Sequence, residues 1–153
     1  ALRFNIEEVP VIGAKAAGVK AINLKKDDVL AAAFIANTDS LYILTLRGSL
    51  KRMAVADIPV TSRANRGLQV LRELKTKPHR VLVAGPVYGE AVDFDLFTTE
   101  AEASEEQILQ VISNKGTAYE INLADLSLSE RTSNGSFISD TISDDEVFSA
   151  YIK

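Results

Sequence analysis

The 153-residue chain contains no cysteine and no tryptophan, and a single histidine and a single methionine. Without thiolates there is neither a disulfide framework nor a cysteine-held metal site, which suits a reducing compartment. The lone imidazole, His79, follows Pro78 ahead of an apolar run and reads as a surface residue rather than an acid–base catalyst. No serine stands in a nucleophile motif, and no G-x-x-x-x-G-K-[ST] phosphate loop is present. The longest apolar run, Val29 to Ala36, is far too short to span a bilayer. The chain opens on an alternating run, "LRFNI", with neither an initiator Met nor a signal-peptide layout, and is expected to be a piece of a longer polypeptide.

What is present is an ordinary globular composition, 46% hydrophobic and 25% charged, over a length suited to one domain. The net charge of −4 conceals a gradient. Residues 1–37 carry five basic and four acidic groups, residues 38–89 nine and three, and residues 90–153 three and fourteen. The middle is therefore at +6 and the end at −11. Such asymmetry bears on partners more directly than the overall pI does.

The sequence also repeats itself. "GSLKRMAVADIPVTSRANRG" (Gly48 to Gly67) aligns without a gap on "GTAYEINLADLSLSERTSNG" (Gly116 to Gly135), an offset of 68. Identical pairs include Asp57/Asp125, Arg63/Arg131 and Gly67/Gly135. At an offset of 49, the opening "ALRFNIEEVPVIGAKAAG" lies on "LKRMAVADIPVTSRANRG", pairing Pro10 with Pro59 and Gly18 with Gly67. The difference of 19 equals an acidic segment, Tyr88 to Glu106, read as an insertion. The approximate copies are 1–37, 38–89 and 107–153, within a single domain.

Each complete copy has one grammar. An apolar strand ("LYILTL", "ILQVIS") meets a glycine turn, and an alternating strand ("LKRMAV", "AYEINL") completes a hairpin. A polar loop ending in glycine leads to a third strand such as "GLQVLREL", and "VLAAAFI", "RVLVAGPV" or "EVFSAYI" supplies a fourth. The expected fold is all-β, with propeller-like blades of about four antiparallel strands. Two and a half to three such blades must stack to bury their faces. Phe4, Phe34, Phe137, Phe148, Tyr42, Tyr119 and Tyr151 fall on strand positions and are expected to pack.

The basic residues gather in the first two copies: Lys15 and Lys20, then Lys51, Arg52, Arg63, Arg66, Arg72, Lys75, Lys77 and Arg80. Arginine forks and glycine-bearing loops suit phosphate contact, although charge by itself fits a solvated surface equally well. In copy three Lys51-Arg52 becomes Tyr119-Glu120 and Arg66 becomes Asn134, so an anionic partner is expected to meet copies one and two. Asp140, Asp144, Asp145 and Glu146 lack the glycine-kinked alternation of a calcium loop and read as turn and strand-entry residues, as does Asp27-Asp28. The acidic segments are open to three readings: a place where an anionic partner leaves the chain, a contact with a basic surface, or a solubilising loop.

"TLRGSLKR" (Thr45 to Arg52), "GVKAI" (Gly18 to Ile22) and "SNKGTAYE" (Ser113 to Glu120) resemble the blade signature of the C-terminal domain of bacterial type IIA DNA topoisomerase A subunits. The likeness covers essentially the whole chain, with topoisomerase IV subunits first and gyrase A subunits second. At the place of the gyrase heptapeptide, Q-R/K-R-G-G-R/K-G, stands "TSRANRG", which keeps Arg63, Arg66 and Gly67 but not the Gln or central glycines. The resemblance implies a β-pinwheel, with strands exchanged between blades, that binds and bends double-stranded DNA without catalysing anything itself. It implies a cytoplasmic, nucleoid-associated parent that uses Mg and ATP, in which an ATPase B subunit joins the remainder of the A subunit. No cofactor is expected in this segment. A protein-interaction scaffold built on the acidic last copy, and late blades of a gyrase A subunit, are the alternative readings.

Overall fold

The computed structural model describes residues 1–26, 29–88, 106–144 and 146–153. Most of the acidic insertion, together with Asp27, Asp28 and Asp145, lies outside the described residues. Two antiparallel sheets form the body. Ser40–Thr45 (β1) and Ser49–Ala54 (β2) make a hairpin, and Val81–Val87 (β3) pairs with the other edge of β1. Ile108–Ser113 (β4), Ala118–Asn122 (β5) and Val147–Ile152 (β7) repeat that arrangement in copy three. The two hairpins close alike, with the turn glycine's N–H donating to the last strand residue: Gly48 to Thr45 O at 2.8 Å, and Gly116 to Ser113 O at 2.9 Å. Even the register shift recurs, between Leu44 and Thr45 in one sheet and between Ile112 and Ser113 in the other.

Alternation explains how deeply each sheet sits. Along β4 every second residue is buried, the pattern of a sheet with one covered face. Every residue of β1 is buried, so its sheet is covered on both faces. On one face Tyr42, Leu44, Leu50 and Val87 join Leu109, Val111, Leu123, Ile142 and Val147 in a core shared by both sheets. On the other, Leu41, Ile43, Met53, Val55 and Ile58 lie beneath Leu68, Val70 and Leu71. Size is traded across strands. Tyr42 on β1 lies over Gly85 on β3, whereas the matching pair in copy three is Gln110 opposite Tyr151.

The sheets are joined by strand exchange. Ser136–Phe137 (β6) belongs to copy three by sequence, yet it pairs with β2 of copy two, giving the order β3-β1-β2-β6. The same step recurs one copy earlier, where Leu68 N–H donates to Ala1 O at 2.7 Å and the Ala1 ammonium donates to Leu68 O at 2.6 Å. Isolated parallel bridges at Arg3–Val60 and Arg52–Leu128 are a further matched pair. The shared glycines make this approach possible. Gly67 (φ 78°) and Gly135 (φ 73°) are left-handed, and a Cβ on either would lie 2.3 Å from a carbonyl oxygen, of Ala1 and Leu50 respectively. Only a residue without a side chain fits there.

Three expectations need correction. "GLQVLREL" forms no strand, because its start bonds to Ala1 rather than to its own hairpin; in copy three only Ser136–Phe137 is extended and paired. Nor does copy one form a blade: it has a 3-10 turn at Ile6–Glu8 and, among the described residues, no strand longer than the bridge at Arg3. "VLAAAFI" forms no strand among the described residues, and Val29, Leu30, Phe34 and Ile35 are exposed. Phe148 and Tyr151, on the edge strand β7, are exposed too, contrary to their expected packing, and Phe137 on the edge strand β6 packs only in part. Asp140–Asp144 is a 3-10 turn. No helix among the described residues is long and apolar enough to cross a membrane.

Gly135 and Gly116 separate backbone strain from interlocking. Gly116 (φ 81°) has nothing within 4 Å of a would-be Cβ. Gly116→Ala is therefore expected to cost about 1–2 kcal/mol, the left-handed penalty alone. Gly135→Ala adds the collision with Leu50 and should cost about 3 kcal/mol or more. Urea denaturation midpoints at matched slopes check the difference.

Candidate nucleic-acid interface

Repeated basic residues divide into those that build the fold and those that face outward. Arg3 donates from its guanidinium to the carbonyls of Val55 (3.2 Å) and Ile58 (3.4 Å). Arg52, one copy later, donates to Ala124 (3.2 Å) and Leu126 (3.5 Å), and its Nε donates to Ser40 Oγ at 2.9 Å. Each arginine thus satisfies the 3-10 turn of the copy that follows. The loop arginines do the reverse. Arg63 donates to the carbonyls of Lys20 and Glu8, and Arg131 to that of Gln69, the counterpart of Lys20. The Glu8 carboxylate meanwhile accepts from Arg63 N–H at 2.7 Å.

Lys51 is the clearest correction to the basic set. It is 2% exposed, and its Nζ donates to the carbonyls of Val70, Arg131 (2.7 Å) and Ser133 (2.9 Å). Burial, and then the neighbouring Arg131, pull its pKa down to about 8, with Asp57 opposing. Three carbonyl dipoles replace the water an ammonium loses, and no DNA reaches it. Arg52 and Arg63 are half-buried and committed to protein carbonyls, so they too leave the set of free cations.

Lys15, Lys20, Arg66, Arg72, Lys75, Lys77 and Arg80 remain exposed. Lys20 Nζ donates to Asn23 Oδ1 at 2.8 Å; the other six side chains make no hydrogen bond or ion pair to the described residues. Arg72, Lys75 and Arg80 come together with Glu73, Leu74 and Pro78 around an open cleft of about 590 Å³. Lys20 lies beside the loop that carries Arg66, because Arg63 of that loop binds its carbonyl. Lys15 sits apart in the loop of copy one.

His79 closes one side of the cleft and is not a simple surface residue. Arg47 NH1 lies 3.1 Å from its Nε2 and donates to Lys77 O at 2.9 Å. A guanidinium only donates, so Nε2 must accept and the proton sits on Nδ1, 3.3 Å from Thr45 Oγ1. Burial, then the Arg47 charge, hold the His79 pKa below its ordinary value, in keeping with a neutral ring. Phe137 of the exchanged strand packs on both, 6.3 Å from the His79 ring and 5.6 Å from the Arg47 guanidinium carbon. This tie also restrains Lys77, whose φ of 52° is left-handed. Nothing in the sequence signalled it, since Arg47 and His79 are 32 residues apart.

The family described as the DNA gyrase C-terminal domain, a beta-propeller, matches over residues 1–37 and 39–84. The A subunit of DNA topoisomerase 4 from Streptococcus pneumoniae is 67% identical over the whole chain, which spans 18% of that relative. The corresponding protein of Bacillus subtilis is 41% identical over 91% of the chain and 15% of the relative. The chain thus spans less than a fifth of the length of these relatives. A solved C-terminal domain of DNA topoisomerase IV superposes with a TM-score of 0.76 at 31% identity, covering 97% of this chain and 42% of that one. A DNA gyrase A C-terminal domain gives 0.69 at 19% identity over 97% of this chain and 45% of that one, a likeness of fold.

Lys51→Met is expected to cost about 3 kcal/mol, because the carbonyls of Val70, Arg131 and Ser133 lose their shared donor. The pH dependence has a definite sign. With a folded pKa of about 8 against an ordinary 10.5, the folded chain binds fewer protons than the unfolded one between those values. Stability should therefore rise from about pH 8 towards pH 10.5 relative to Lys51→Met. Denaturant titrations of both proteins across that window check it; parallel curves refute it.

Proposed function

Since the chain belongs to the DNA gyrase C-terminal domain family of β-propellers, we propose that it is a DNA-binding segment of a topoisomerase IV A subunit, catalysing nothing by itself. The observation that carries this reading is the set of exposed cations in the first two copies that make no ion pair with the described residues, three of them around one cleft. Such a surface neutralises phosphates without reading bases, and releases counterions as it does so. Contacts spread over successive copies favour a curved path for the duplex, and the deformation is offset by the additional phosphates reached. The acidic end, at −11 over residues 90–153, repels a phosphate backbone and limits the contact to copies one and two.

In the longer parent protein this segment guides which DNA segment is captured for strand passage, in the decatenation and relaxation that chromosome segregation requires. DNA cleavage, with its Mg, belongs to the rest of the A subunit, whereas ATP hydrolysis belongs to the B subunit. The working place is the cytoplasmic nucleoid.

Salt separates this reading from a protein scaffold. Affinity for a short duplex should fall with salt at a log–log slope of roughly −0.9 for each phosphate neutralised. Arg72→Glu with Lys75→Glu should weaken binding by about tenfold or more and flatten the slope by about two such increments. Lys115→Glu, on the β4–β5 turn, should change little. Arg66→Glu is a cleaner probe than Arg63→Glu, which would also unseat the loop from Lys20 and Glu8. Fluorescence anisotropy at several salt concentrations measures all of these. Equal effects at Lys115 and at Arg72-Lys75, or no binding at low salt, would sink the proposal.

A further inference from the structure

Arg72, Lys75 and Arg80 lie on a segment without a strand of its own, which joins the loop of copy two to β3 along the cleft. Its backbone is bent at an unfavourable place. Lys77 stands at φ 52°, left-handed, although the residue before a proline is pushed towards extended conformations. Such a conformation persists only where its surroundings hold it.

Three side chains supply that hold. Arg47, on the turn between β1 and β2, donates to Lys77 O at 2.9 Å and to His79 Nε2 at 3.1 Å. His79 Nδ1 in turn faces Thr45 Oγ1 of β1 at 3.3 Å. Phe137 comes from copy three on the exchanged strand β6, and its ring centre lies 5.6 Å from the Arg47 guanidinium carbon, within cation–π range.

The matching place in copy three is built differently. Leu46 N–H donates to Arg80 O and Asn114 N–H to Glu146 O, both at 2.8 Å, so the two copies share this backbone joint. Yet Lys115 replaces Arg47, Glu146 replaces Arg80, and the residue of copy two that matches Phe137 is Gln69. The three-residue latch accompanies the cleft cations.

We propose that Phe137, Arg47 and His79 are positioning residues for DNA: the exchanged strand of copy three steadies Arg47, which sets the 72–80 segment so that its cations meet a phosphate backbone together. The inference rests on the DNA-binding reading above. Copy three then supports the contact through a neutral ring that touches no phosphate. Phe137 raises the fraction of molecules whose cleft cations are already in place, and apparent affinity scales with that fraction.

Fluorescence anisotropy with a short duplex tests it, with circular dichroism confirming that each variant is folded. Phe137→Ala should weaken binding about two- to fivefold, the loss of one cation–π contact, with an unchanged salt slope because the bound state neutralises the same phosphates. His79→Leu, which removes the acceptor for Arg47, should act alike. His79→Gln, whose amide oxygen can accept, should keep most of the affinity. In a background of Arg72→Glu with Lys75→Glu, Phe137→Ala should add nothing. Without DNA, tryptic cleavage after Lys75 should quicken in Phe137→Ala and His79→Leu but not in His79→Gln. The inference is overturned if both weakening variants fold yet bind like the unaltered chain, if His79→Gln falls as far as His79→Leu, or if the Phe137→Ala loss persists in the glutamate background. Unchanged cleavage overturns the inference alone; failure of the unaltered chain to bind duplex overturns the DNA-binding reading and the inference with it.

Discussion

The structure depends on one contact: a left-handed glycine at the end of each loop laid against the backbone of the preceding copy. Gly67 on Ala1 and Gly135 on Leu50 leave no room for a side chain, so the chain continues onto its neighbour's edge rather than back onto its own hairpin. The other joints follow from that placement. The parallel bridges, the Arg3 and Arg52 bonds to the next turn, and the Arg63 and Arg131 bonds to the previous copy join the same pairs of copies as the seated loop. The core shared by both sheets includes Tyr42 and Leu44 of β1.

This joint changes the meaning of the positive charge. An arginine identical in two copies, Arg63/Arg131, invites a ligand-binding reading, yet its repetition reflects a repeated carbonyl. Lys51 makes the point more strongly, because an ammonium so fully buried would be untenable without its three acceptors. Of the basic set, the cations that stay exposed are those that differ between copies, Arg66, Arg72, Lys75, Lys77 and Arg80, together with Lys15 and Lys20. Arg47 holds a place between the two groups, packed on Phe137 and bonded to a neutral His79 at the side of the cleft.

Much of this was legible without coordinates. Alternation located the strands to within a residue or so: "ILQVIS" is β4, and "LYILTL" is β1 displaced by one. The matched glycines marked the loops. The third strand of each unit was illegible for a physical reason. "GLQVLREL" has strand-like composition, but whether it pairs depends on which edge is free, and that edge belongs to another copy.

The sequence by itself determined the all-β class, the hairpins, the repeat and the acidic end, because each rests on local periodicity or composition. Only the tertiary structure decided which lysines and arginines are structural, which copy owns each edge, and that Arg47 meets His79. Those outcomes depend on carbonyls and edges from other copies, whose positions no local pattern encodes. The single histidine follows the same rule: His79 is held neutral by burial and Arg47, and it helps to pin the loop that carries the free cations.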